Sequence, residues 1–230
     1  MSQADRTAHV LALVLDRSPR GPGELAGAVA ATEAEVTATL EALARHGLVT
    51  WDGAQAAAGP RLRGAGKDLA ELAGPPMRRL ADETGETVNL MVRTAEGAEA
   101  VAQVEGRHVL GASNWVGRSV PDHCSAAGKV FLAYGDDTPR GPLERLTART
   151  IVHPDELARD LAQVRAQGFA TIVDELEMGL AAVAAPIRDG DGTVVGALSV
   201  AGPTARLGPS RLAVVGRLAV EQAAEVGREL

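Results

Sequence analysis

Three segments near the start of the chain repeat apolar side chains at helical intervals. Val10, Leu11, Val14 and Leu15 form one stripe, and Pro19 is expected to stop that helix. Gly23 to Ala30 predicts a short helix with Leu25, Ala28 and Val29 turned inward. Val36, Leu40 and Leu43 stand at i, i+4 and i+7, so a third helix buries one face. Thr32 is placed to cap it, because its hydroxyl accepts a first-turn N–H, and Gly47 to close it in a left-handed conformation. Leu48 to Trp51 then reads as a strand and Asp52-Gly53 as a turn. Arg61 to Arg63 is the candidate return strand, which leaves AQAAAG at the tip of a wing.

Residues 64–74 predict another helix and Pro75-Pro76 a break. Pro75 to Thr84 restarts as a helix, since proline is tolerated in a first turn. After Gly85 the period falls to two. Val88, Leu90 and Val92 alternate with other residues, as do Ala100, Ala102 and Val104, predicting an antiparallel pair that turns near Glu96-Gly97. Val109 to Ser113 is a candidate third strand. Helices are expected at Ser125–Tyr134, capped by Ser125, and at Pro154–Gln167, with Leu157, Leu161 and Val164 inward. Phe169–Val173, Leu180–Ile187 and Thr193–Ala201 read as strands, the last two joined by RDGDG. Pro209–Leu230 is a closing helix. The class is α+β, one antiparallel sheet with helices packed on it.

Composition narrows the chemistry. Aromatics are only 2% of the chain, so the cores must be built from Ala, Val and Leu. Cys124 is the one cysteine, which excludes an internal disulfide and a zinc cluster of cysteines. A net charge of -7 argues against coating nucleic acid or anionic lipid without specificity. The apolar run Val10–Leu15 is short and follows Asp5, unlike a secretion signal, and no stretch approaches the ~18 apolar residues of a membrane span. A cytoplasmic protein is expected.

Two stretches, VGRSVPDHCSAAGKVFLA (116–133) and GFATIVDELEMGLAAVAAPIRDGDGTVVGALSVAGPTARL (168–207), resemble the IclR family of bacterial transcription regulators. The second is the more specific. It has a Gly-aromatic start, an acidic pair, Gly179, then AAPI, a Gly-rich turn, GALSVAGP and an Arg. The resemblance implies a winged helix-turn-helix over 1–64, a linker helix over 65–76 and a GAF-like antiparallel-sheet effector-binding domain over 77–230. It also implies homodimers, often paired into tetramers, that bind double-stranded pseudo-palindromic operators and answer to a small-molecule effector such as a small organic acid.

By that resemblance the third helix is the one that reads DNA, yet from Thr32 to Ala44 it carries Glu33, Glu35 and Glu41 and no Lys or Arg. The family pattern resembles Ser-Thr-Val-x-Arg-Leu-Leu, and Ala38 stands where its Arg is expected. The outward face would be Ala34, Ala38, Glu41 and Arg45. Alanine can touch thymine methyls and glutamate can accept from cytosine, but phosphate contacts supply much of the affinity. Residues 1–70 hold seven basic and eight acidic groups, against 16 and 22 in the rest, so the N-terminal part is less acidic without being a basic patch. The candidate DNA contacts are Thr32, Ala34, Glu35, Thr37 and Ala38, with Arg17, Arg20, Arg45, Arg61 and Arg63 for phosphates; the alternative for these arginines is a solvated surface.

Asp122-His123-Cys124 invites a thiol-imidazole reading. Neighbours in an extended segment point to opposite faces, however, so His123 is not expected to activate Cys124. AAGK lacks the earlier glycine and the following Ser/Thr of a phosphate loop, and Gly128 reads instead as a close contact. Neither enzyme activity, nor a metal, nor a cofactor is expected. The resemblance makes Trp115, Val116, Gly117, His123 and Cys124 walls of the effector pocket, and Ala182, Ser199 and Ala201 its floor. Relatives often carry Cys or Ser at the floor to hold a carboxylate, and only Ser199 keeps a polar group here. That implies a less polar ligand, or one gripped by the backbone N–H groups of Trp115–Gly117. Trp115 is either a lid or a core ring. Asp174 and Glu175 either cap a turn or touch the ligand. The expected function is a transcription regulator whose operator affinity a metabolite modulates. The alternative is a ligand sensor with a weakened DNA head that acts through protein partners.

Overall fold

A computed structural model describes residues 2–15, 21–46, 48–58, 69–94, 97–108, 114–135 and 143–230. Two compact units divide the chain, residues 1–67 and 68–230.

The first unit holds helices α1 (Gln3–Leu15), α2 (Pro22–Val29) and α3 (Glu33–Arg45), and a hairpin of β1 (Val49–Trp51) and β2 (Ala56–Ala58). Val10 and Val14, Leu25 and Val29, and Val36, Leu40 and Leu43 meet in one small core. Ala26 is buried in α2 and Ala28 is exposed, reversing the expected phase at that position. Thr32 caps α3 with a reciprocal pair: its hydroxyl accepts the Glu35 N–H, and the Glu35 carboxylate accepts from the Thr32 N–H. The return strand comes earlier than the sequence suggests. Asp52 Oδ1 accepts the N–H groups of Ala54 (2.8 Å) and Gln55 (2.7 Å), Gly53 turns at φ 93°, and pairing starts at once with Trp51 opposite Ala56. Ala54 and Gln55 thus form the turn and Ala56–Ala58 the strand; alanine's weak strand preference hid it. Pro19, Gly47 and Arg61–Arg63 lie outside the described residues.

The second unit is a six-stranded antiparallel sheet in the order β5-β4-β3-β8-β7-β6. Its strands are β3 (Thr87–Thr94), β4 (Gly97–Val104), β5 (Ser119–Val120), β6 (Ala170–Val173), β7 (Leu180–Arg188) and β8 (Val194–Pro203). The helices are α4 (Leu69–Thr84), α5 (Ala126–Tyr134), α6 (Pro154–Gln167) and α7 (Pro209–Arg228). Helix α4 runs through Pro75 and Pro76, where the sequence predicted a break. Ala73, Met77, Leu80, Ala81 and Thr84 all lie buried on one side of it, and burial of this continuous stripe outweighs the backbone hydrogen bonds the prolines forgo.

Both faces of the sheet are covered. On β8, Leu198 and Val200 pack in a core with α4 and α7, while Ala197 and Ala201 join a second core with α5 and α6. Strands β3 and β7 alternate in the same way, with Val88, Leu90, Ala181 and Val183 on the first side and Met91, Ala182 and Ala184 on the second. A bulge interrupts β4. Leu90 pairs with Ala102 and Met91 with Ala100, leaving Val101 without a partner. Ala100 therefore faces α5 while Ala102 and Val104 pack against the other core, so the three do not share a face as their spacing predicted. The candidate strand at 109–113 lies outside the described residues. Among the described residues, no helix is long and apolar enough to cross a membrane.

Candidate functional site

On the α5 side of the sheet, alternation brings small or polar residues of three adjacent strands side by side. Asn89 of β3 pairs with Ser199 of β8, and Ala201 of β8 pairs with Ala182 of β7. None of these fills the layer between sheet and helix, and a pocket with a cavity volume of about 50 Å³ opens above them. Met91, Ile172 and Leu180 extend its floor, Val120 and Trp115 close one side, and Leu176 closes another. The start of α5 supplies Ser125, Ala126 and Ala127. Its lining is mostly apolar with few polar groups, as small-molecule sites are.

Those polar groups are Asn89, Ser125 and Ser199. Ser125 is engaged: its hydroxyl donates to the Pro121 carbonyl (2.7 Å) and accepts the Gly128 N–H (3.1 Å). Asn89 is only 4% exposed, yet its Oδ1 has no hydrogen-bond partner. A buried polar atom without a partner carries a desolvation cost unless something supplies the bond.

The roof is the turn from Asp174 to Gly179. Asp174 adopts φ 60°, accepts the Gly179 N–H on Oδ1 at 2.6 Å, and donates its own N–H to Leu180. Glu175 follows, buried, accepting from the ammonium of Lys129 at 2.8 Å. Lys129 is fully buried and also lies 2.8 Å from Asp160 of α6. Burial pushes the Glu175 carboxyl above its usual range, with Lys129 opposing. The acidic pair is thus divided: Asp174 closes the turn and Glu175 ties it to α5.

The predicted pocket residues separate into two groups. Trp115, Ala182, Ser199 and Ala201 line the cavity; Val116, Gly117, His123 and Cys124 do not. The Trp115–Gly117 loop has no N–H to offer a ligand. Trp115 donates to Gln103 Oε1, Val116 to Asn114 Oδ1 and Gly117 to the Ala100 carbonyl, which corrects the expectation of a backbone grip. His123 and Cys124 sit in a turn rather than an extended segment, both buried. The His123 ring lies 2.9 Å from the Glu144 carbonyl. Burial, with the Glu175 charge, pushes the Cys124 thiol up to about 12, so it is no nucleophile at neutral pH. Gly128 is the expected close contact: a Cβ there would meet the Asp122 backbone at 2.3–2.7 Å. Asn89 escaped the sequence reading, although an amide inside the apolar run VNLMV was a signal.

In the first unit, Ala34, Ala38, Glu41 and Arg45 are exposed along α3, and Thr37 is half-buried. The polar groups of Thr32 and Glu35 are committed to the cap, and Glu35 also pairs with Arg6 of α1 at 2.9 Å. Arg17, Arg20, Arg61 and Arg63 lie outside the described residues.

The family described as "Bacterial transcriptional regulator IclR C-terminal" matches residues 65–228. The HTH-type transcriptional repressor AllR of Klebsiella pneumoniae is 34% identical over 71% of this chain and 62% of its own length. The transcriptional repressor IclR of Escherichia coli is 34% identical over 70% and 61%. The chain thus matches about three fifths of the length of these curated relatives. Among solved structures, the C-terminal domain of the E. coli transcriptional regulator KdgR aligns at TM-score 0.62 with 29% identity, covering 71% of this chain and 98% of that one. Thermotoga maritima IclR shares the fold at TM-score 0.67 with 22% identity, over 99% and 98%. The relatives are regulators and not enzymes, and the chain belongs to the IclR family of bacterial transcriptional regulators.

Proposed function

We propose that this protein is a DNA-binding transcription regulator whose operator affinity is set by a small molecule bound in the cavity beside Asn89 and Ser199. The observation that carries this reading is the pocket itself, bounded by the sheet, α5 and the 174–179 turn, with a buried amide oxygen left unpaired. The first unit, three helices followed by a hairpin, is read as a winged helix-turn-helix with α3 as its recognition helix. Ligand binding favours one arrangement of the two DNA heads of a dimer, and operator affinity follows that population. Dimers or tetramers acting in the cytoplasm belong to the same reading.

A second reading has a specific observation in its favour. The exposed face of α3 offers Arg45 as its one cation beside two alanines and Glu41. A sensor whose DNA head has weakened, acting through protein partners, would look the same.

The test is fluorescence anisotropy of the full chain on the DNA upstream of its own gene, at two salt concentrations, with unrelated DNA as competitor. Binding that survives competitor, is weakened on all sequences by Arg61→Ala and is abolished by Ala38→Glu supports the regulator. Ligand binding with no sequence preference on any DNA selects the sensor.

A further inference from the structure

We propose that Asn89 sets the ligand specificity of the pocket. It selects a small carboxylate that also carries a hydroxyl close to the carboxyl carbon, over the same acid with no hydroxyl or with an oxo group. The proposal rests on the reading of this pocket as the effector site and adds the chemical class of the effector.

Two sets of unmatched polar groups face each other across the pocket. The first is the start of α5. Ser125 accepts the Gly128 N–H on its hydroxyl and the Lys129 N–H on its carbonyl, which leaves the N–H groups of Ala126 and Ala127 without a partner. Both residues line the pocket. Free N–H groups at the positive end of a helix favour an anion, and a carboxylate brings two acceptor oxygens to two donors. Among the described residues, no acidic side chain lines the pocket to compete for them.

The second set is Asn89 with Ser199. They are direct cross-strand partners, both more than nine-tenths buried, and Asn89 Oδ1 has no partner within the protein. An amide oxygen only accepts, so the group that satisfies it must donate a proton. An ionised carboxylate and an oxo oxygen have none to give. A hydroxyl both donates and accepts, so it answers the amide and the Ser199 hydroxyl together. Size then ties the two sets to one small head group. The cavity volume is about 50 Å³, against the roughly 10–15 Å³ that a single water needs. Only a few heavy atoms fit, so the carboxylate and the hydroxyl must lie close together, and a longer tail has to run out toward solvent.

Trp51 and Trp115 are the only tryptophans, so in Trp51→Phe the emission reports on the pocket wall. This full-length variant is titrated with lactate, propionate, pyruvate and lactamide. Lactate is expected to bind saturably and about tenfold or more tighter than propionate and pyruvate, which leave the amide oxygen unpaired. It should also bind more tightly than lactamide, which keeps the hydroxyl and lacks the charge. Adding Asn89→Leu should weaken lactate about tenfold and leave propionate unchanged, so that the two acids bind alike. The propionate response reports that the pocket persists. Where Asn89→Leu fails to fold, Ser199→Ala is read instead, and the preference for lactate over propionate is expected to narrow. Propionate, pyruvate or lactamide binding as tightly as lactate overturns the proposal and leaves the effector-site reading standing, as does a lactate preference unchanged by the substitution. No saturable response to any of the four overturns both.

Discussion

A single buried lysine organises the chemistry behind the cavity. Lys129 holds Glu175 at the root of the roof and Asp160 on α6, so α5, α6 and the 174–179 turn share one ammonium. Because burial raises the Glu175 carboxyl, the native state keeps that proton to higher pH than the unfolded chain does. The group's contribution to stability is therefore complete below the ordinary glutamate range and is lost as pH rises through the raised value. Denaturant midpoints measured across pH should show wild type losing stability relative to Glu175→Gln over that window; parallel curves would contradict the assignment. Cys124 gives a second test. With its thiol at about 12, it should resist iodoacetamide at pH 8 in the folded protein and react promptly once unfolded. Rapid alkylation of the folded chain would contradict its burial.

The elements were legible in the sequence where one stripe or one alternation dominated. The Thr32 cap of α3, the Ser125 cap of α5, the inward faces of α3 and α6, and the β7–β8 hairpin follow directly from spacing, cap residues and Gly-rich turns. Alternation went out of phase at Val101 because a bulge adds one residue to β4 without leaving a mark in a run of Ala and Val. Pro75-Pro76 misled for a different reason. Local propensity favours a stop, but the buried stripe on both sides needs one continuous helix. Of the cavity lining, Ala182, Ser199 and Ala201 came with the family resemblance; Asn89 was signalled only by an amide in an apolar run, and Leu176 enters through a turn that no local pattern encodes. Thr32→Ala should cost about 1 kcal/mol of stability in the first unit. Urea unfolding followed at Trp51 in a Trp115→Phe chain would measure it, and an unchanged midpoint would contradict the cap. Glu35 should add acid sensitivity there. Its carboxyl is held below the usual range chiefly by the Thr32 N–H, so its contribution is present above the ordinary glutamate value and lost as pH falls through the lowered one.

At the scale of the molecule, two compact units divide the labour proposed for them: one offers an exposed helix, the other a pocket between sheet and helix. An α3 face of Ala34, Ala38, Glu41 and Arg45 can make few phosphate contacts, so base-edge and methyl contacts must carry more of the discrimination. Affinity should then fall less steeply with salt than for a regulator with a basic recognition helix. The central claim, that this chain reads DNA sequence as a dimer, is tested most directly by selection of binding sites from random double-stranded DNA with the full-length protein. The account predicts enrichment of a pseudo-palindrome with two half-sites, bound at least ~10³-fold more tightly than unrelated DNA. Failure to enrich any sequence, from a protein that still binds ligand in its cavity, would contradict it.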